Sequence, residues 1–276
     1  MTSILDRIVE RKRREVEEAR SAVPLPVLEE RIRDREPARD FFGALTVGQT
    51  ATRSRVIAEI KRKSPSAGVI WNRPGPFDPA SIARSYHAAG ATAISCLTDE
   101  FDFGGRLEYI ESVRRAVPLP VLRKDFVVDA YQVWEARAAG ADAILLIAEC
   151  ISPAEILDLR ELAHRLGMSS LVEVHSEANL NAVLETMDFD PEGRSLLGIN
   201  NRDLARMETD IGNTARLVEA VSESLASRSV LVAESGIRTP ADLGRLRETG
   251  VRIALVGEHL MGGADPGEAL RILLEG

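Results

Sequence analysis

The chain has little cysteine, no long apolar run and no surplus of positive charge. Its 276 residues include two cysteines, Cys96 and Cys150. Each falls in or beside an apolar run without metal-ligand spacing, so buried free thiols in a reducing compartment are expected. No apolar run approaches the ~20 residues that cross a bilayer. The start, Met1-Thr2-Ser3-Ile4-Leu5-Asp6, is followed closely by charges where a secretory leader has an apolar core. A cytoplasmic protein with no membrane partner is expected. The formal net charge is -8. That argues against nucleic acid, because phosphate-backbone binding needs an excess of Lys and Arg. It leaves room for a local cationic pocket. No His/Cys/Asp/Glu cluster has metal-ligand spacing and no Gly-rich nucleotide motif follows a strand, so neither metal nor cofactor is expected.

What is present is a repeating pattern. Residues 3–20 carry Ile4, Leu5, Ile8, Val9 and Val16 at helical spacing, with Ser3 placed to cap. A second short helix is predicted over 26–34, then a loop with one apolar turn at Phe41, Phe42 and Leu45. Residues 1–54 are too few for a separate domain and read as a helical extension packed on the rest of the chain. From Arg55 onward strands alternate with amphipathic helices. Strands are predicted near 55–60, 92–97, 120–124, 142–147, 169–174, 196–200, 229–234 and 252–256. Helices are predicted near 78–89, 106–116, 129–139, 152–166, 176–186, 213–226, 239–249 and 266–274. Gly90, Gly140, Gly167 and Gly250 each stand between a helix and a strand, where a left-handed cap favours glycine. Asp78-Pro79, Ser152-Pro153 and Thr239-Pro240 set a capping residue before proline at helix starts. Eight such units predict an α/β protein, a (β/α)8 TIM barrel spanning 1–276 as one domain.

Ionisable residues end these apolar strands. Glu59 and Lys61 share a face, being two apart. Lys124, Glu173, Asn200 and Glu234 close four further strands. A charge at the end of a buried strand is expelled unless a cavity uses it. Together they predict one polar mouth at the C-terminal ends of the strands. A Lys among apolar walls or other cations loses pKa and can act as an acid or base. Ser235-Gly236 and Gly257-Glu258, at the ends of the last two strands, offer small residues and free N–H groups suited to phosphate.

At these residues the chain resembles the indole-3-glycerol phosphate synthase family. The motifs are Ile57-Ala58-Glu59-Ile60-Lys61-Arg62-Lys63-Ser64-Pro65-Ser66, Phe103-Gly104-Gly105, Val121-Leu122-Arg123-Lys124-Asp125-Phe126 and Leu171-Val172-Glu173-Val174-His175. Gly198-Ile199-Asn200-Asn201-Arg202-Asp203-Leu204, Ala233-Glu234-Ser235-Gly236 and Val256-Gly257-Glu258 complete them. The resemblance implies ring closure, decarboxylation and dehydration of 1-(2-carboxyphenylamino)-1-deoxyribulose 5-phosphate, without a cofactor. It implies Lys124 as the acid of ring closure, and later acid–base work shared among Glu173, Lys61 and Glu59. Asn200 is expected to hydrogen-bond the substrate, and Glu234 to hold a lysine or a substrate hydroxyl. Ser64, Arg202, Ser235, Gly236, Gly257 and Glu258 fall on the phosphate side, Glu258 through its N–H alone. Phe103, Phe126 and Met207 are expected to wall the aromatic ring. The partner is then a small phosphorylated molecule, and a monomer is expected.

Trp71-Asn72-Arg73-Pro74-Gly75-Pro76 makes the first loop bulkier than is usual in the family. Glu149 reads as a solvated loop acid. His87 and His164 read as surface residues on helices, and His175 as a support or a substrate contact. Two other functions compete with the synthase. A phosphosugar isomerase barrel would carry a Cys/Asp or paired-Asp couple at its strand ends, which here hold Lys124 and Glu173. A silent phosphate-binding scaffold would be expected to lose one of Glu59, Lys61, Lys124, Glu173 or Glu234.

Overall fold

The computed structural model describes residues 3–189, 193–203, 208–220 and 231–275. Three helices come first: α1 (Ile4–Ala22), α2 (Leu25–Arg33) and α3 (Phe41–Thr46). The strands are β1 (Arg55–Ile60), β2 (Lys63–Ser64), β3 (Gly68–Val69), β4 (Ala93–Leu97), β5 (Val121–Lys124), β6 (Ala143–Ile147), β7 (Ser169–Val174), β8 (Ser195–Asn200), β9 (Leu231–Glu234) and β10 (Ile253–Val256). Between and after them lie α4 (Pro79–Ala88), α5 (Glu108–Ala116), α6 (Ala130–Ala139), α7 (Pro153–Arg165), α8 (Glu177–Thr186), α9 (Asn213–Ala220), α10 (Pro240–Glu248), α11 (Glu258–Gly262) and α12 (Pro266–Leu274).

Apart from the β2–β3 hairpin, the strands close into one parallel barrel, with β10 pairing back onto β1. This is the (β/α)8 TIM barrel that the alternating pattern predicts. The local signals act as expected. Ser3, Ser152 and Thr239 cap their helices in reciprocal boxes with Asp6, Glu155 and Asp242. Gly90, Gly140, Gly167 and Gly250 all take left-handed backbone at the helix-to-strand turns. The last parts of the predicted 213–226 helix and the start of the 229–234 strand lie outside the described residues.

Strand side chains alternate between two apolar layers. Ile57, Ala93, Leu122, Leu145, Leu171, Leu196, Val232 and Leu255 fill the barrel interior. Val56, Ala58, Ile94, Cys96, Ile144 and Val172 face outward to Ile82, Ile110, Val133, Ile156 and Leu270 of the helices. The N-terminal helices join the inner layer from both ends. Phe41, Phe42 and Leu45 of α3 pack into it, and Arg55, at the start of β1, donates to the Ala44 and Val47 carbonyls beside them. Leu5 and Ile8 of α1 reach it at the opposite, C-terminal mouth.

Buried charge holds α1 at that mouth. Lys12, only 4% exposed, stands 2.9 Å from Asp99 and 3.1 Å from Asp125, which lie just after β4 and β5. Glu15 completes its shell at 2.6 Å. Burial alone lowers a lysine pKa, but these carboxylates raise that of Lys12 instead.

The loop after β1 carries secondary structure of its own. It forms the antiparallel β2–β3 hairpin. Trp71 packs edge-on against Phe77 at 5.4 Å, and the Arg73 guanidinium lies 4.3 Å over the Trp71 ring. Arg73 then donates to the Met261 and Gly263 carbonyls at the end of α11. The bulky segment thus pins the loop across the barrel rim. No helix among the described residues is long and apolar enough to cross a membrane.

Candidate active site

Six residues from five strand ends meet in one pocket: Glu59 and Lys61 from β1, Lys124 from β5, Glu173 from β7, Asn200 from β8 and Glu234 from β9. The parallel register produces the meeting. Glu173 is beside Gly198 and Asn200 beside Glu234, so neighbouring strands deliver polar ends at one level. Gly198 is required there, because a Cβ on it would overlap Glu234 Oε1.

Lys124 is the hub. Its Nζ lies 2.8 Å from Glu173 Oε2 and 3.4 Å from Glu234 Oε2. The expectation that Lys124 loses pKa is corrected by this geometry. Burial does pull the pKa down, but Glu173, Glu234 and Glu59 outweigh it and raise it above the ordinary range. The group that surrounds the lysine is anionic, not apolar or cationic.

The two carboxyls are driven apart. Burial raises the pKa of Glu173, but Lys124 and the Asn200 amide more than reverse this, leaving it an ionised carboxylate. Asn200 Nδ2 donates to Glu173 Oε1 at 2.8 Å. Burial, then the neighbouring Glu173 charge, push Glu234 well above the carboxylate range. Neither Glu234 oxygen has a hydrogen-bond partner of good geometry among the described residues. A buried carboxyl in that position, facing a pocket, is placed to serve a ligand.

Lys61 pairs with Glu59 instead, Nζ to Oε1, at 2.7 Å. Glu59 is 4% exposed, and Ser95 Oγ donates to its other oxygen at 3.5 Å. The site therefore holds two lysine–carboxylate pairs in one cavity.

Ser64, Arg202, Ser235, Gly236, Gly257 and Glu258 gather at one end of the pocket. Ser235 and Gly236 both take left-handed backbone, turning the chain sharply after β9. Arg202 Nη2 meets Glu258 Oε2 at 2.8 Å, and its Nη1 donates to Ser66 on the first loop. Phe103 and Phe126 wall the other end, with ring centroids 6.0 Å apart. Met207 lies outside the described residues.

Several pocket residues escape a reading of the sequence. Leu5 and Ile8 add to the apolar wall from α1; their helical spacing signals packing and nothing more. Ser66 and Arg238 also line the pocket. Two predicted surface groups are instead structural. Glu149 accepts from the His175 N–H at 2.8 Å and from Asn179 at 2.9 Å. His175 Nδ1 in turn bonds the Asn200 carbonyl at 2.8 Å, so it supports the site from behind. His164 sits 3.2 Å from Ser195 Oγ and 3.4 Å from Ser170 Oγ at the opposite end of the barrel.

The family model described as indole-3-glycerol phosphate synthase matches residues 5–273. A relative of that name from Azoarcus sp. (strain BH72) is 49% identical over 273 residues, covering 99% of both chains. One from Rhodopirellula baltica is 44% identical over 272 residues, again covering 99% of both. Among solved structures, a 3-hexulose-6-phosphate synthase superposes with a TM-score of 0.61 at 16% identity, over 80% of this chain and 98% of that one. A thiamine phosphate pyrophosphorylase from Pyrococcus furiosus gives 0.55 at 18%, over 82% and 96%. Those two likenesses show the barrel alone. With a family match that runs nearly end to end and relatives close to half identical, the chain belongs to the indole-3-glycerol phosphate synthase family of tryptophan biosynthesis.

Proposed function

We propose a division of labour for the family's reaction in this pocket. The substrate's aniline ring carbon attacks the ketone carbon of the ribulose chain, and negative charge grows on the carbonyl oxygen. Lys124, a permanent cation, donates to that oxygen. Glu173, Glu234 and Glu59 keep it charged, so its part is to stabilise the growing negative charge by hydrogen bonding; the raised pKa makes it a weaker proton donor. Glu173 holds Lys124 in line and, kept ionised by that pairing, is the carboxylate that takes the proton lost from the methylene carbon beside the nitrogen when the hydroxyl leaves. Departure of CO2 returns its bonding pair to the ring and restores aromaticity, so no protein nucleophile is needed. Loss of the hydroxyl as water then needs a proton. Glu234, whose pKa is raised by burial and by the Glu173 charge, and Lys61, held by Glu59, face the cavity for this step. Phe103, Phe126, Leu5 and Ile8 are the proposed seat of the aromatic ring. Arg202, Ser64, Ser235, Gly236, Gly257 and the Glu258 backbone are the proposed seat of the phosphate.

The observation that carries the reading is Lys124 Nζ set 2.8 Å from Glu173 and 3.4 Å from Glu234, two buried carboxyls whose surroundings shift them in opposite directions, as acid and base partners are. The test is fluorescence detection of indole-3-glycerol phosphate formed from synthetic substrate with no added metal or cofactor. Lys124→Ala is expected to lower kcat by roughly 10²–10⁴, and Glu173→Gln to do so with little change in melting temperature. Near-normal turnover by Lys124→Ala would remove that residue from the mechanism.

We further infer a cytoplasmic monomer in which residues 1–54 and the barrel form one domain. The α1 helix contributes Leu5 and Ile8 to the pocket, so the extension and the barrel build one site. Light scattering at assay concentration tests the oligomeric state; a dimer as the only active species would overturn it.

A further inference from the structure

The phosphate end of the pocket contains a carboxylate lodged between arginines. Glu258 Oε2 lies 2.8 Å from Arg202 Nη2, and Glu258 Oε1 lies 3.7 Å from Arg238 Nη2. All three side chains line the pocket. Arg202 is the more enclosed cation, with its side chain 16% exposed, against 32% for Glu258 and 68% for Arg238. The other edge of the Arg202 guanidinium donates to Ser66 Oγ of the first loop. One face of Arg202 is thus committed to the loop, and the face toward the pocket is occupied by a carboxylate. A phosphate dianion and a carboxylate recognise the same fork of N–H donors. They cannot both take it.

We propose that the Glu258 side chain is a built-in competitor for the phosphate subsite. Its carboxylate neutralises Arg202 and Arg238 within the chain's own fold, and a phosphoryl group displaces it on binding. Glu258 therefore sets how strongly the pocket holds phosphate, and Arg238 becomes the second cation of that subsite. The proposal rests on the phosphate seat assigned above. It adds that the carboxylate acts against the ligand through Arg202, whereas the Glu258 N–H acts for it. The cost of displacement is modest, because a partly exposed ion pair is weak. It is large enough to measure as affinity.

The probe is inorganic phosphate, measured by calorimetry and as a competitive inhibitor of turnover at fixed pH and ionic strength. The variants are Glu258→Gln and Glu258→Ser, in the full chain. Both are expected to bind phosphate about two- to fivefold more tightly than the parent, with KM for substrate falling in the same direction. In an Arg202→Gln background the gain should largely vanish, because the contested partner is gone. Four results decide the matter. Phosphate that does not compete with substrate in the parent chain would overturn the phosphate seat itself, and the proposal with it. Phosphate that competes, but binds Glu258→Gln and Glu258→Ser no better than the parent, would leave the seat standing and overturn the competitor. Weaker binding by these variants would likewise overturn it, since Glu258 would then be orienting Arg202. A gain that persists in full without Arg202 would show simple repulsion between like charges, and competition for the arginine would be wrong.

Discussion

The carboxylate of Glu59 occupies the space where a side chain at Gly257 would begin. A Cβ on Gly257 would overlap Glu59 Oε1 and stand 2.9 Å from its Cδ. Glycine is thus demanded by the space that Glu59 fills. This changes what a substitution at Gly257 reports. Read from sequence, Gly257→Asp tests the phosphate seat and should raise KM. In the structure even Gly257→Ala pushes Glu59 away from Lys61. The expected result is a fall in kcat of about 10²-fold, as for a catalytic group displaced by about 1 Å, with KM changed less. Steady-state kinetics separates the two; a rise in KM with normal kcat would contradict the Glu59 contact.

Glu234 ties stability to alkaline pH. Its folded-state pKa is raised, so between the ordinary carboxyl value and the raised one the native chain binds more protons than the unfolded chain. Stability from this group is therefore present at low pH and lost as pH rises. Glu234→Gln removes that slope. The melting temperature of the variant should exceed that of the parent increasingly from acid to alkaline pH, while turnover falls. Parallel melting curves across the range would mean that Glu234 is not held neutral.

Lys12 should be costly to lose. Lys12→Met leaves Asp99 and Asp125, exposed by 0% and 3%, without one of their cations. Breaking a buried pair by removing one partner costs about 3–5 kcal/mol, read as a lower midpoint in urea. Leu5 and Ile8 ride on the same helix as Lys12 and wall the pocket, so KM should rise as α1 loosens. Unchanged stability would mean that Arg11 and Arg123 already satisfy these carboxylates.

His164 makes the opposite end of the barrel acid-sensitive. Burial, then Arg160 and Arg194, depress its pKa from 6.5 to about 4. The native state resists protonation that the unfolded chain accepts, so stability falls as pH drops from 6.5 toward about 4. His164→Asn should flatten that part of the pH–stability profile relative to the parent. A profile that keeps its slope in the variant would assign the acid loss to other groups.

The strands and helices were legible because their signals are local. Ser152 with Glu155, and Thr239 with Asp242, cap helices within four residues of themselves. Gly140 and Gly250 mark turns by their own backbone freedom. The convergence of Glu59, Lys61, Lys124, Glu173, Asn200 and Glu234 was also legible, since a charge at the end of a buried strand has few places to go.

The sequence by itself determined the order of elements, the closure into a barrel and the residue types at its mouth. Periodicity, caps and strand-end charges are properties of short segments. Only the tertiary structure decided what those residues are in energetic terms. Lys124 is more basic than an ordinary lysine because three carboxylates from three other strands surround it. Lys12, far away in sequence, reaches the same rim and anchors α1 there. Glu258 faces Arg202 from the next loop but one. Such effects depend on distances between atoms that the chain brings together only when the barrel closes, and electrostatic energy depends on those distances and the burial that accompanies them.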